Sequence, residues 1–229
     1  MIQGQDQRLR VELHSHTDAS KDSLVAVEQL LACCVRKGID RIAITDHNEI
    51  KAALEAKALD PERVIVGEEI ATTKGELLGY FMSERVPPGL EPMAAIERLQ
   101  RQGAVISVAH PFDSNRTHYW EEETLARLIP YLDAFETFNA RCVFSAPNHH
   151  ALSYAGEHNL LETVGSDAHS LWEVGRATLI TPDFWDAASF REALKEAEKD
   201  VKRSPAFVHL FSRYALQVNH LRKVFSERQ

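Results

Sequence analysis

Leu9-Arg10-Val11-Glu12-Leu13-His14-Ser15-His16 is the stretch from which the fold can be read. Apolar and polar residues alternate from Leu9 to Leu13, the period of a half-buried strand. Two histidines follow at i and i+2. In an extended chain, side chains two apart project to the same side. The stretch therefore reads as a strand with a pair of metal ligands at its C-terminal end. A lone His-x-His reads more readily as a surface pair; recurrence of the pattern further along the chain is what gives this one weight.

After His16 a polar loop runs to Ser23, a suitable N-cap. Val27, Leu30, Leu31 and Cys34 then recur at helical spacing, and Gly38 ends that helix. Arg41–Ile44 reads as a buried strand with Thr45-Asp46-His47-Asn48 at its end. A helix through Ile50, Ala53, Leu54 and Lys57 stops before Asp60-Pro61. Val64–Val66 is a strand followed by Gly67-Glu68-Glu69, and Leu77–Phe81 is another. A helix from Pro92 closes at Gly103, and Ala104–Ala109 is a strand with His110-Pro111 at its end. Beyond a loop over 112–122 come a helix at 125–129, a strand at 133–138 ending in Asn139-Ala140-Arg141, and a helix at 148–158. Thr163-Val164-Gly165 leads to Ser166-Asp167-Ala168-His169, again with two donors at i and i+2. A short strand at 177–180 precedes two helical stretches, 186–199 and 206–225. In the last, Phe207, Leu210, Phe211, Tyr214 and Val218 form an apolar stripe expected to pack against the body.

Strands alternating with helices imply a mostly parallel sheet with helical crossovers, and in such folds the C-terminal strand ends share one face. His14, His16, His47, Glu69, His110, Asp167 and His169 all fall at that end. One ion needs about four ligands if tetrahedral and more if octahedral. Seven candidates therefore suggest two or three ions. Imidazole mixed with carboxylate suits Mn, Fe or Zn. A carboxylate bridging two ions would let them hold a hydroxide and polarise a phosphoryl oxygen.

Composition sets the outer bounds. The chain of 229 residues is 44% hydrophobic and 26% charged, ordinary for one globular α/β domain over 1–229. A net charge of −8 argues against long nucleic acid as a partner and leaves a small anionic substrate open. The polar start lacks the apolar segment of a signal peptide, and no apolar run is long enough for a bilayer; both point to a cytoplasmic protein with no membrane partner. The three cysteines, Cys33, Cys34 and Cys142, form neither a zinc motif nor a disulfide framework.

With these residues in place the chain resembles the PHP family, named for its polymerase and histidinol phosphatase members. The resemblance rests on Leu13-His14-Ser15-His16-Thr17, Ile44-Thr45-Asp46-His47-Asn48, Gly67-Glu68-Glu69-Ile70, His110-Pro111 and Gly165-Ser166-Asp167-Ala168-His169, in the family's order, over residues 9 to 180. It implies a distorted (β/α)7 barrel with the C-terminal helices packed on it. It also implies a metal-dependent phosphoesterase of small stand-alone type, using two or three Mn, Fe or Zn ions. By that resemblance His14 and His16 hold one ion, with Glu69 bridging and Asp167 completing it. His110 serves a second, and His47, His169 and Asp22 a third. Two departures stand out. The acid after the first histidines is displaced by one, in Ser20-Lys21-Asp22, and Glu76 stands where many members carry a histidine, so that it either offers oxygen to the second ion or leaves that site weaker.

Other residues have two readings each. Asp46 precedes a ligand and should face the other way, as an orienting acid. Parity also separates Glu68 from Glu69, and the resemblance selects Glu69. Glu136 orients a histidine or is a satisfied core acid. Arg141 is the first candidate for a phosphate clamp, because guanidinium grips phosphate in a bidentate fork; a structural ion pair is the alternative. Lys21, Arg116 and His118 lie in loops near the expected site and are candidates to touch substrate. His149, His150 and His158 read as surface residues. The expected function is hydrolysis of a phosphomonoester or short nucleotide by a metal-bridged hydroxide. The alternative is a degenerate PHP module that binds metal or nucleotide without turnover.

Overall fold

Leu9, Val11 and Leu13 are buried, as the alternation predicts, and Leu9–Glu12 forms strand β1. The computed structural model describes residues 8–116 and 119–226. Helix α1 (Val27–Lys37) follows and ends at Gly38, whose φ of 63° lets its N–H turn back to the carbonyls of Cys34 and Val35. Ser23 is not its cap. The helix starts after Ala26 without a side-chain cap, and the Ser23 hydroxyl instead donates to His16 O and accepts from Val25 N. It is drawn under the histidine loop rather than left at the helix end.

The chain continues as β2 (Arg41–Ile44), α2 (Lys51–Leu59), β3 (Val64–Ala71), β4 (Glu76–Tyr80), α3 (Pro92–Arg101) and β5 (Val105–Val108). Then come α4 (Glu122–Leu128), β6 (Ala134–Asn139), α5 (Ala146–Glu157), β7 (Leu161–Gly165), β8 (Ala177–Thr181), α6 (Ala187–Leu194), β9 (Glu198–Val201) and α7 (Val208–Ser226). The strands form a single sheet in the order β7-β6-β5-β4-β3-β2-β1-β8-β9. The segments after β1 and β7 meet at a parallel Ser15–Ala168 bridge, with His16 N donating to Ala168 O at 2.9 Å. That contact brings the two ends of the seven-strand run together, so the sheet is a nearly closed, distorted α/β barrel.

The sheet is less parallel than the alternation of elements predicts. β1–β2, β2–β3, β5–β6 and β6–β7 are parallel, whereas β3–β4, β4–β5, β1–β8 and β8–β9 are antiparallel. The cause at β3–β4 is a short turn over Thr72–Gly75, closed by Thr72 N to Gly75 O at 2.9 Å. So short a connection makes a hairpin and leaves no room for a crossover helix.

Alternate strand residues enter two cores. Ala43, Ile65, Leu78, Val105 and Ala134 join one cluster; Ile44, Val66, Leu77, Ile106 and Phe135 join the other, beneath the helices. Burial on both faces is why these strands read as continuous apolar runs. β3 is longer than the sequence predicts and includes Glu68 and Glu69. By parity Glu69 shares the side of Ile65, and Glu68 that of Val66.

Two corrections concern the C-terminal part. The helix expected over 186–199 ends at Leu194, after Phe190, Ala193 and Leu194 have been buried, and Glu198–Val201 pairs antiparallel with β8. The open edge of β8 overrides the helical propensity of those charged residues, and the charges then protect the new edge. The tail helix does pack on the body, but through Val208, Ser212 and Ala215. The expected stripe is not the packed face: Phe207, Leu210, Phe211 and Tyr214 stay 44–62% exposed. Smaller residues permit the close approach. Among the described residues no helix is long and apolar enough to cross a membrane.

Candidate metal centre

Seven residues converge at one rim: six lie just past the ends of β1, β2, β5 and β7, and Glu69 lies within β3. His14, His16, Glu69, His110, Asp167 and His169 are buried there, and His47 lies half-buried beside them. The rings of His16 and His47 stack at 4.4 Å between centroids, and those of His16 and His169 lie 4.2 Å apart. His14 Nε2 sits 3.4 Å from Glu69 Oε1 and 3.7 Å from Asp167 Oδ1. His16 Nε2 sits 3.5 Å from Glu69 Oε2 and 3.2 Å from Asp167 Oδ1.

The groups behind the rim set which nitrogen faces inward. His14 Nδ1–H donates to Glu136 Oε1 at 2.8 Å, so the Nε2 lone pair points into the site. Glu136 is thus an orienting acid, and it also accepts from His110 N at 2.7 Å. Asp46 accepts from Thr17 N, Thr17 Oγ1 and Ser20 Oγ. Having donated its proton to Asp46, Ser20 Oγ accepts from His16 Nδ1 at 3.2 Å, which again leaves Nε2 inward. Asp46 therefore acts through Ser20, a residue without a role in the sequence reading. The sequence assigns Asn139 no role either; its side-chain amide donates to Glu136 and to Asp167. Only its position at a strand end hinted at this.

Among the described residues, four groups place one donor atom each within 4.8 Å of one another: His14, His16 and Glu69; His14, His110 and Asp167; His16, His47 and His169; and His47, Glu69 and Glu76. Asp22 Oδ2 joins the third group, 3.4 Å from His47 Nε2 and 3.3 Å from His169 Nε2. His110 Nε2 bonds Glu69 Oε1 at 2.8 Å and lies 3.6 Å from Glu76 Oε2. The test of fit is what these atoms lack. His14 Nε2, His16 Nε2, Glu69 Oε2 and Asp167 Oδ1 are buried and have no hydrogen-bond partner. Orphaned buried polar atoms are costly unless something else satisfies them, and a nitrogen–oxygen set converging in this way fits divalent cations. Asn48, His110 and Asp167 adopt positive φ of 57°, 25° and 52° at this rim, where few non-glycine residues rest without a compensating purpose.

The electrostatics are those of a cluster short of positive charge. Burial disfavours charge on His14, but the carboxylates of Glu136, Glu69 and Asp167 outweigh it and hold the imidazole well above its ordinary range. Burial, then His169 and His47, push His16 well below it. Burial alone would raise Glu69, yet His14 and His47 hold it well below the carboxylate range. Burial would likewise raise Asp167, and Arg116 with His14 reverses that. Glu76 moves up, through burial and the neighbouring Glu69.

Outside the cluster, a cleft of about 500 Å³ is lined by Lys21, Asp22, His47, Asn48, Glu76 and Arg116, among others. Arg116 bonds Asp167 Oδ2 and leaves Oδ1 free. Arg141 is buried, and its guanidinium lies between Glu173, at 3.3 Å, Ser212 Oγ of α7, at 2.7 Å, and the ring of His169. That is the ion pair of its two readings, and Glu173 is a partner the sequence did not reveal. Asn219, also on α7, donates to the carbonyls of Lys21 and Ser23 on either side of Asp22. His149 and His150 are exposed on α5, and His158 is exposed just past its end. His118 lies outside the described residues.

Comparison with known proteins agrees with this arrangement. A family model described as the PHP domain matches residues 12–170, and a PHP-associated model matches residues 146–198. An uncharacterised protein of Methanocaldococcus jannaschii is 38% identical over 172 residues, covering 74% of this chain and 69% of that protein. A second from the same organism is 37% identical over 117 residues, covering 45% of this chain and 68% of that protein. Among solved structures, a two-domain Bacteroides vulgatus protein containing a predicted PHP-like metal-dependent phosphoesterase superposes with a TM-score of 0.67 at 18% identity. The match covers 85% of this chain and 65% of that one, so this chain spans about two thirds of its length. PsfC from Pseudomonas syringae gives 0.66 at 17% identity, covering 93% of this chain and 99% of that one. The structural likenesses speak for the fold. With the family model spanning most of the barrel and its motif residues gathered at one rim, the chain belongs to the PHP-domain family.

Proposed function

We propose that this protein is a metal-dependent phosphoesterase acting on small phosphate esters. The observation that carries the reading is the convergence of unpartnered His14 Nε2, His16 Nε2, Glu69 Oε2 and Asp167 Oδ1 beside a cleft lined by Lys21 and Arg116. His14, His16, Glu69 and Asp167 would hold one cation. His110 with Glu69, and Glu76 as an oxygen donor, would hold a second; His47, His169 and Asp22 a third. Bound there, Mn, Fe or Zn ions would activate a water for in-line attack and neutralise phosphoryl charge. Arg116, fixed through Asp167 Oδ2, has donors left for a phosphate oxygen, and Lys21 supplies a second positive charge on the cleft wall. Ser20 and Glu136 keep His16 and His14 in the ligating tautomer. A cleft of about 500 Å³ in a chain of net charge −8 suits a monoester or short nucleotide better than a long strand.

Glu76 keeps a second reading alive. With its carboxyl pushed up by burial and by Glu69, it is a weaker ligand than the usual histidine, and a module that binds without turnover would show this. The deciding experiment compares a chromogenic phosphomonoester with its diester under Mn, Fe and Zn, for the wild type and for Asp167→Ala. Metal-dependent turnover that disappears in the variant together with bound metal is expected. Full turnover by metal-depleted Asp167→Ala would overturn the hydrolytic mechanism, and metal uptake without turnover would favour the binding module.

A further inference from the structure

We infer that the outer face of α7 is a self-association surface on which a second copy of this chain docks. The stripe expected to pack on the barrel faces solvent, and its spacing is informative. Phe207, in the turn that leads into α7, and Phe211, Tyr214, Val218, Leu221 and Phe225 on the helix recur at intervals of four, three, four, three and four. That is an unbroken a/d heptad seam, and a period of 3.5 keeps one stripe turned toward a partner helix along its whole length. Five of the six are 44–63% exposed and Val218 is half-buried.

The face already used is a different one. Val208, Ser212 and Ala215 sit against the barrel, one residue out of step with the seam and so about 100° away around the helix. The large residues are therefore not a misplaced core stripe; the small ones fill that role. The positions flanking the seam favour an identical partner. Of the flanking positions not turned to the barrel, Leu210, Gln217 and Val224 are uncharged and Arg222 is the one charge. Two copies can meet there without opposing rows of like charge.

The area is also sufficient. The exposed parts of these side chains, with Leu210 and with Trp172, which packs 5.7 Å from Phe207, offer on the order of 700 Å² per copy. That is close to the roughly 800 Å² per partner of a stable interface. The resulting contact is isologous, with a two-fold axis crossing the helix pair. It leaves the cation rim untouched and does not depend on the catalytic reading.

Sedimentation velocity of the full chain, from micromolar concentrations upward, is expected to give a dimer. Phe211→Glu combined with Leu221→Glu should weaken association at least about 100-fold, since each dimer would bury unpaired carboxylates. Both residues are exposed, so the circular dichroism and metal uptake of the variant should match the wild type. Arg213→Glu, an exposed change off the seam, should leave the dimer intact. A wild type monomeric throughout would overturn the proposal, as would a dimer that survives the double variant. A monomer whose α7 binds anionic vesicles would overturn it in favour of a lipid surface.

Discussion

Glu68 and Glu69 are adjacent in β3 and should respond to the same substitution in opposite ways. Glu68 is fully buried on the helix side of the sheet. Its Oε2 accepts from Val86 N at 2.8 Å, and its Oε1 has no partner. Burial raises its pKa from 4.5 to about 7. Because the folded value lies above the unfolded one, the stabilising contribution is complete below pH 4.5 and is lost as pH rises through 7. At 1.36 kcal/mol per pH unit the whole shift corresponds to about 3 kcal/mol, most of it falling between pH 5 and 8. Glu68→Gln keeps an oxygen for Val86 and cannot ionise. Urea unfolding of both proteins in chelator, at pH 5 and pH 8, should show the variant gaining about 2 kcal/mol on the wild type over that interval. Metal uptake should be unchanged. Glu69→Gln, one residue on, should lose cation affinity, because its Oε2 is one of the orphaned donors at the rim. Parallel pH profiles for Glu68→Gln and wild type would refute the reasoning, as would metal loss in Glu68→Gln with retention in Glu69→Gln.

Arg141→Met should lower stability by about 3–5 kcal/mol in a thermal melt, because it leaves the buried Glu173 carboxylate without its partner; adding Glu173→Met should recover most of the loss. Gly165→Ala would place a Cβ 2.3 Å from His14 Cβ and 2.4 Å from Glu136 Oε1, so titration calorimetry should record cation affinity at least about 10-fold weaker. Asn219→Ala removes the bonds that hold the loop around Asp22. Metal analysis should then show the outermost cation bound more weakly, with those at His14, His16 and His110 retained.

Much of the site was legible because metal ligation restricts residue type and strand ends restrict place. His14 and His16 declared themselves by i, i+2 spacing, and Asp167 and His169 repeated it. Asp46 could be set apart from His47 by parity alone. Parity did not choose between Glu68 and Glu69, since either face of an unknown strand can be the inner one. The supporting partners were not legible either. Ser20, Asn139 and Glu173 are ordinary polar residues whose roles exist only once distant segments meet.

The sequence by itself determined the strand–helix alternation and the histidines and acids at the strand ends. These follow from local periodicity and side-chain chemistry. Tertiary structure decided the rest. The short turn over Thr72–Gly75 reversed β4, and the open edge of β8 drew 198–201 out of a helix. Arg141 found Glu173, and α7 docked by its small face, leaving the large one in solvent. Each is a choice between alternatives of similar local energy, and only contacts between residues far apart in the chain separate them.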